Sequence, residues 1–292
     1  MRVPVKFAAT SVAAAIALSL FMAAPTAAAP PPGYTCTNTL AAPGAIPAGT
    51  YAHLTMPSGS ACEINGPGSV TVLRPVSLGS GSALVVNGGS LRVRGGMTVG
   101  RNAAFGADFA AETAPVEIDG PVTVFSGGAF FLGTEVPHGP VFAKIGGAVF
   151  GFHASAVVVQ NVRIGGPVTI LGGGGDNAIV DALGGPGSNY TDFEDDQIHG
   201  SLIEIGYRGI WAGVIRSKIW GSFTFAHNVE AVTDEYDIGS NVIFGSAYCD
   251  DNNPAPNLGV SSGAPSVVHG QTRGDQASTC TGVPGGGTGP TP

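Results

Sequence analysis

From Gly68 onward, apolar side chains alternate with polar or small ones in short runs such as Val70-Thr71-Val72, Leu91-Arg92-Val93, Val122-Thr123-Val124, Val168-Thr169-Ile170 and Phe223-Thr224-Phe225. A period of two sends successive side chains to opposite faces of an extended strand, so each run predicts a short strand with one buried face. Most runs follow a Gly joined to Ser or Pro: Gly68-Ser69, Gly89-Ser90, Gly120-Pro121, Gly139-Pro140, Gly166-Pro167, Gly200-Ser201, Gly221-Ser222 and Gly239-Ser240. The shortest intervals between these openers cluster near one value, as from Gly68 to Gly89 and from Gly200 to Gly221, while longer ones such as Gly166 to Gly200 read as carrying insertions. The underlying repeat is roughly 20 residues, within the range of solenoid repeats. Further strips, Leu84-Val85-Val86, Met97-Thr98-Val99, Val157-Val158-Val159 and Ile210-Trp211, lie between the openers. One interval therefore holds two or three strands.

After residue 35 no amphipathic helical stretch breaks the pattern, which excludes alternating βα architectures and helical solenoids. Short strands on such a repeat with Gly-rich corners are what a parallel β-helix requires, because a single coil cannot bury its own apolar face and stacking must complete the core. About eight coils, stacked at roughly 4.8 Å, would make a unit roughly 40 Å long. The competing all-β fold is a β-sandwich or jelly roll. Reuse of one corner type at near-constant spacing argues against it.

The Gly-Pro-Val-Thr-Val and Gly-Pro-Val-Thr-Ile units, together with the ending Cys249-Asp250-Asp251-Asn252-Asn253-Pro254-Ala255-Pro256 and the later Cys280, resemble a group of uncharacterised secreted proteins of high-GC Gram-positive bacteria. The resemblance covers the repeat region and the C-terminal end. It implies a single-stranded right-handed parallel β-helix and export, and it implies no activity. The coils here are less regular and less Asn-rich than in the tidier members of that group.

Residues 1–28 read as a signal peptide: Arg2 and Lys6, an Ala-rich apolar run from Phe7 to Ala24, then Pro25-Thr26-Ala27-Ala28-Ala29. A membrane anchor is the alternative, since the apolar run approaches the ~20 residues that span a bilayer; the cleavage-type ending favours removal. Four cysteines follow, Cys36, Cys62, Cys249 and Cys280, an even number that in an exported chain reads as disulfides. Three pairings are possible in principle. The long Cys-free interval favours Cys36 with Cys62 and Cys249 with Cys280, stapling segments 29–65 and 249–281 as caps on a β-helix spanning 66–248. The Pro-, Gly- and Thr-rich end, 282–292, is expected to be disordered.

Among 292 residues, 12 basic and 20 acidic side chains give a net charge of −8, without a Lys/Arg cluster able to track phosphates. Nucleic acid is therefore not the expected partner, and after leader removal neither is a membrane. The densest polar cluster is Asp192, Glu194, Asp195, Asp196 and His199, in the longest interval. Close carboxylates can bind a hard cation or hold one carboxyl with a raised pKa as acid or base, and Arg208, Arg216 and Lys218 follow as candidate contacts for an acidic sugar. No recognised catalytic spacing is present, so a solvated acidic loop is the simpler expectation, with Asp234, Glu235 and Asp237 as a second one. Gly172–Ile179 nearly fits a calcium-binding nonapeptide but occurs once, so a plain Gly corner is expected there, and no metal or cofactor is called for. Exposed Trp or Tyr could bind sugars by stacking, yet Phe223 and Phe244, one repeat apart, are expected to stack inside the core. Two functions follow as expectations. The first is an exported, non-enzymatic β-helix at the cell surface or in the medium, with a cell-wall or extracellular polysaccharide as partner; the second is a polysaccharide lyase or hydrolase using the 192–199 cluster.

Overall fold

The computed structural model describes residues 29–107, 115–133, 143–182, 189–230, 236–258 and 263–281. The expected leader and tail, and Asp234 and Glu235, lie outside the described residues. Three parallel sheets of eleven, nine and ten strands make up the fold. One turn of chain visits them in order: Leu54–Met56 in the first sheet, Ala61–Asn65 in the second, Ser69–Val72 in the third, then Val76–Leu78 back in the first. Each strand pairs in parallel with its counterpart one coil on, as Ala61–Asn65 does with Ala83–Asn87. The result is a β-solenoid of about ten turns, and the sandwich alternative, which needs antiparallel neighbours, is set aside.

The period-two pattern builds the core directly. In the third sheet Val72, Val93, Ile118, Ile145, Ile164, Ile198, Ile219 and Ile243 occupy one column, each at the Cα register of the next. All are almost fully excluded from solvent. β-branched side chains suit such a pleated interior because they lose little freedom in extended backbone. Each contributes about 1.5–3 kcal/mol through burial.

Several sequence expectations change in detail. The solenoid does not wait for residue 66: Tyr34–Thr35, Gly44–Ala45 and Gly49–Tyr51 already pair with the next coil, and Val267–Val268 and Thr272–Arg273 continue it beyond 249. The cap segments are thus largely coils themselves. The Gly openers mark two different corners, since Gly68-Ser69 leads into the third sheet and Gly166-Pro167 into the first, so intervals between them mix unlike positions. Like positions fall at Val76, Met97, Val122, Val149, Val168, Leu202, Phe223 and Ala247. Of the coils these mark out, the one from Val149 to Val168 is the shortest and the one from Val168 to Leu202 the longest.

Both expected disulfides form, Cys36–Cys62 and Cys249–Cys280, with Cα separations of 6.0 and 5.8 Å. All four cysteines are buried. Cys280 enters the core from a single 3₁₀ turn, Thr279–Thr281, at the C-terminal end. The outer face of the second sheet is apolar in its middle, where Ala129, Ala156, Phe131 and Val158 pack against Ile179 and Val180. Those two belong to a short helix, Ala178–Ala182, too brief for a helical period to show in the sequence. Asn177 caps it, its Oδ1 accepting from the N–H groups of Ile179 and Val180 at 2.9 and 3.2 Å. The Gly corner expected at 172–179 is present, with Gly172, Gly173 and Gly174 all at positive φ.

Candidate functional site

Strand Tyr190–Glu194 lies in the second sheet, and strand Gln197–Ile198 in the third, so the acidic cluster straddles a corner. Alternation divides it. Thr191 and Phe193 face the interior, whereas Asp192 and Glu194 lie on the outer face, both nearly inaccessible to solvent. Asp195 sits at the corner itself with φ 56°, a left-handed conformation that turns the chain. His199 lies past the third sheet on the next corner and is exposed. The five residues do not converge on one pocket.

Each carboxylate already has a structural partner. The Gln160 amide donates to Asp192 Oδ2. Arg216 donates from Nε and Nη2 to both oxygens of Asp195, at 3.0 and 2.9 Å, and from Nη2 to Glu194 Oε1. That bidentate arrangement, one coil away, uses the guanidinium that the sequence had offered to a sugar acid. Asp196 turns inward and joins a ladder of side chains that accept from the backbone of the neighbouring coil. Val162 N–H donates to Asp196 Oδ1 at 2.8 Å, Asp196 N–H to Ser217 Oγ at 3.0 Å, Ser217 N–H to Asn241 Oδ1 at 2.9 Å, and Asn241 N–H to Ser266 Oγ at 3.2 Å. The ladder satisfies corner N–H groups that the sheets cannot reach.

Burial pushes the Asp196 carboxyl well above the ordinary carboxylate range, the Asp192 and Asp195 charges add to this, and the Val162 N–H opposes it. Burial likewise lifts the Tyr190 hydroxyl to about 12, with Asp192 contributing. Asp237, expected in a solvated corner, is buried in strand Asp237–Gly239 of the second sheet, because its position in the register falls on the covered outer face. Arg208 and Lys218 are exposed, Arg208 at a corner and Lys218 on the outer face of the third sheet.

Two features escaped the sequence reading. Glu204 stands inside the solenoid at 0% exposure, its Oε1 accepting from the Thr191 hydroxyl at 3.1 Å and its Oε2 without a hydrogen-bond partner. Burial lifts its carboxyl to about 8, the Thr191 bond pulling the other way. The signal was available, since Leu202-Ile203-Glu204-Ile205 puts Glu204 on the inward phase of its strand. The second is an external row of rings. His199, Trp220, Phe244 and His269 stack on four successive coils, with centroid separations of 4.3, 5.8 and 5.1 Å and interplanar angles of 6°, 18° and 3°. Phe244 is therefore 45% exposed and not a core partner of the fully buried Phe223. The residue that follows Phe223 in its own column is Ala247, so this coil is longer than the repeat and a count of one repeat lands on a different column.

Among the described residues no group of His, Cys, Asp and Glu is arranged to hold a metal ion, and no helix is long and apolar enough to cross a membrane. Compared with known proteins, the chain matches no family model, no curated protein and no solved structure.

Proposed function

We propose that this protein is an exported, non-catalytic β-solenoid that serves as a rigid binding element outside the cytoplasm. One observation carries the reading. The carboxylates that a hydrolase or lyase would need are occupied in holding the coils together: Asp195 and Glu194 by Arg216, Asp192 by Gln160, and Asp196 by the N–H of Val162. A general acid or base must reach its substrate within hydrogen-bond distance, and side chains committed to neighbouring coils and buried do not. Two buried cystines suit an oxidising compartment, which supports export together with the leader read at residues 1–28. A continuous solenoid offers long, flat faces on a fixed axial repeat, a geometry suited to extended polymers.

The test is incubation of the full chain with a panel of neutral and acidic polysaccharides, reading reducing ends and unsaturated sugar ends. The expected result is no turnover. Turnover that disappears in Asp192→Asn or Asp195→Asn, with circular dichroism and melting unchanged, would replace this reading with the enzymatic one.

A further inference from the structure

We infer that the C-terminal half of the third sheet, with its row of rings, is a docking face for an extended acidic polysaccharide lying along the solenoid axis. The inference deepens the function just proposed and rests on it. Its first support is charge. The outward column of the third sheet runs Arg92, Glu117, Lys144, Arg163, Gln197, Lys218. In its N-terminal part the charges are mutually paired, Arg92 and Lys144 both bridging to Glu117 at 3.0 and 3.3 Å. Arg163 and Lys218 are exposed, and among the described residues neither has an ion-pair partner. Strands Val162–Ile164, Gln197–Ile198, Lys218–Ile219, Val242–Ile243 and Val267–Val268 contain no carboxylate. On a chain of net charge −8, this is a cationic strip facing solvent.

The second support is the ring row along the strip's edge. The backbone N–H of His199, Trp220, Phe244 and His269 each donates to the residue ending the previous strand of the third sheet, at 2.9, 3.0, 2.9 and 2.9 Å, so the four occupy one corner position on consecutive coils. The row starts at His199 for a steric reason. The same corner one coil earlier is Gly165, where a Cβ would lie 2.3 Å from the Gly146 carbonyl oxygen. Because the rings stack face to face, their π-faces are mutually occupied, and the row offers a polymer its edges. Those edges carry the positive side of the ring quadrupole, the indole N–H and the imidazole nitrogens, all suited to hydroxyl and carboxylate oxygens.

Spacing selects the polymer. Consecutive coils stand about 4.8 Å apart, so Arg163 and Lys218, with Gln197 between them, are separated by about 10 Å. An extended β-linked glycan advances per sugar by a length close to one coil. A chain with an acid on alternate sugars would meet a cation, an amide and a cation in step, with its neutral faces along the rings. Nucleic acid and polyphosphate carry charge far more densely than two cations can neutralise.

The experiment is equilibrium binding of the full chain to hyaluronan, an alternating polymer with one carboxylate per disaccharide, beside dextran, polyphosphate and a single-stranded oligonucleotide. The expected result is binding to hyaluronan that weakens with salt, falls at least tenfold in Lys218→Ala, Arg163→Ala and Trp220→Ala, and is unchanged in Arg101→Ala, whose exposed side chain stands at a different corner. Trp220→Phe, which keeps the stack and the ring edge but removes the indole N–H, should lose less binding than Trp220→Ala. No binding to hyaluronan, equal binding to dextran, preference for polyphosphate or the oligonucleotide, or loss in Arg101→Ala equal to that in Lys218→Ala would each overturn the docking face. The turnover assay above is read separately: turnover without loss of binding overturns the non-catalytic reading alone, and absent binding without turnover overturns the docking face alone.

Discussion

Glu204 shows how a single side chain can make the whole fold sensitive to pH. Its ordinary carboxyl value of 4.5 rises to about 8 in the folded interior because burial penalises the charge more than the Thr191 hydroxyl stabilises it. Between those values the folded chain holds a proton that the unfolded chain has released. The contribution of Glu204 to stability is therefore fully present below about pH 4.5 and is lost as pH rises toward 8. Asp196, raised by burial, acts in the same direction. Glu204→Gln, which keeps an acceptor for Thr191 and removes the charge, should raise the urea midpoint at pH 8 and flatten its fall between pH 5 and pH 8; an unchanged slope would show that the carboxyl is solvated. The position of Glu204 was legible in its strand pattern, whereas its surroundings were not: Thr191 arrives from the second sheet, and Tyr207 and Tyr236 come from outside the strands.

Strands here are short, so the corners do much of the specifying. At the corner between the second and third sheets, Asp196, Ser217, Asn241 and Ser266 do one job with three residue types, accepting from a backbone N–H one coil away. Asp196→Asn should be tolerated or stabilising, because Asn241 already plays that part. Asp196→Leu should cost about 1–3 kcal/mol by stranding the Val162 N–H, measured as a shift in denaturant midpoint at constant slope. A matching row, in which the backbone N–H groups of Tyr207, Asn228 and Asn252 donate to the side chains of Asn228, Asn252 and Gln276, holds another corner. Strand identity was readable from alternation alone because the inward and outward phases differ in polarity. Corner identity was not, because Gly-Ser and Gly-Pro serve two corners that differ in the sheet they lead into. Phe244 was misplaced for a different reason: the extra length of its coil moved the column.

Stapling at both ends matches a solenoid whose terminal coils have a neighbour on one side only. Removing the C-terminal bridge with Cys249→Ala and Cys280→Ala should lower stability by about 3–4 kcal/mol in the chain-entropy picture, seen as a lower melting temperature that added reductant lowers no further through that bridge. Loss should concentrate in the last coils, read by hydrogen exchange at Ala247–Asp250 before the middle of the core. Alternation, Gly-rich corners, near-regular spacing and cysteine placement were enough to establish an all-β solenoid whose disulfides each stay at one end, because each of these is a local property repeated along the chain. They could not establish which residues meet. His199 left its acidic neighbours for Trp220, Arg216 turned back on Glu194 and Asp195, and Asp237 went under cover. Each outcome depends on the length of the intervening coil, which differs from one turn to the next, and coil length sets the register between side chains far apart in sequence.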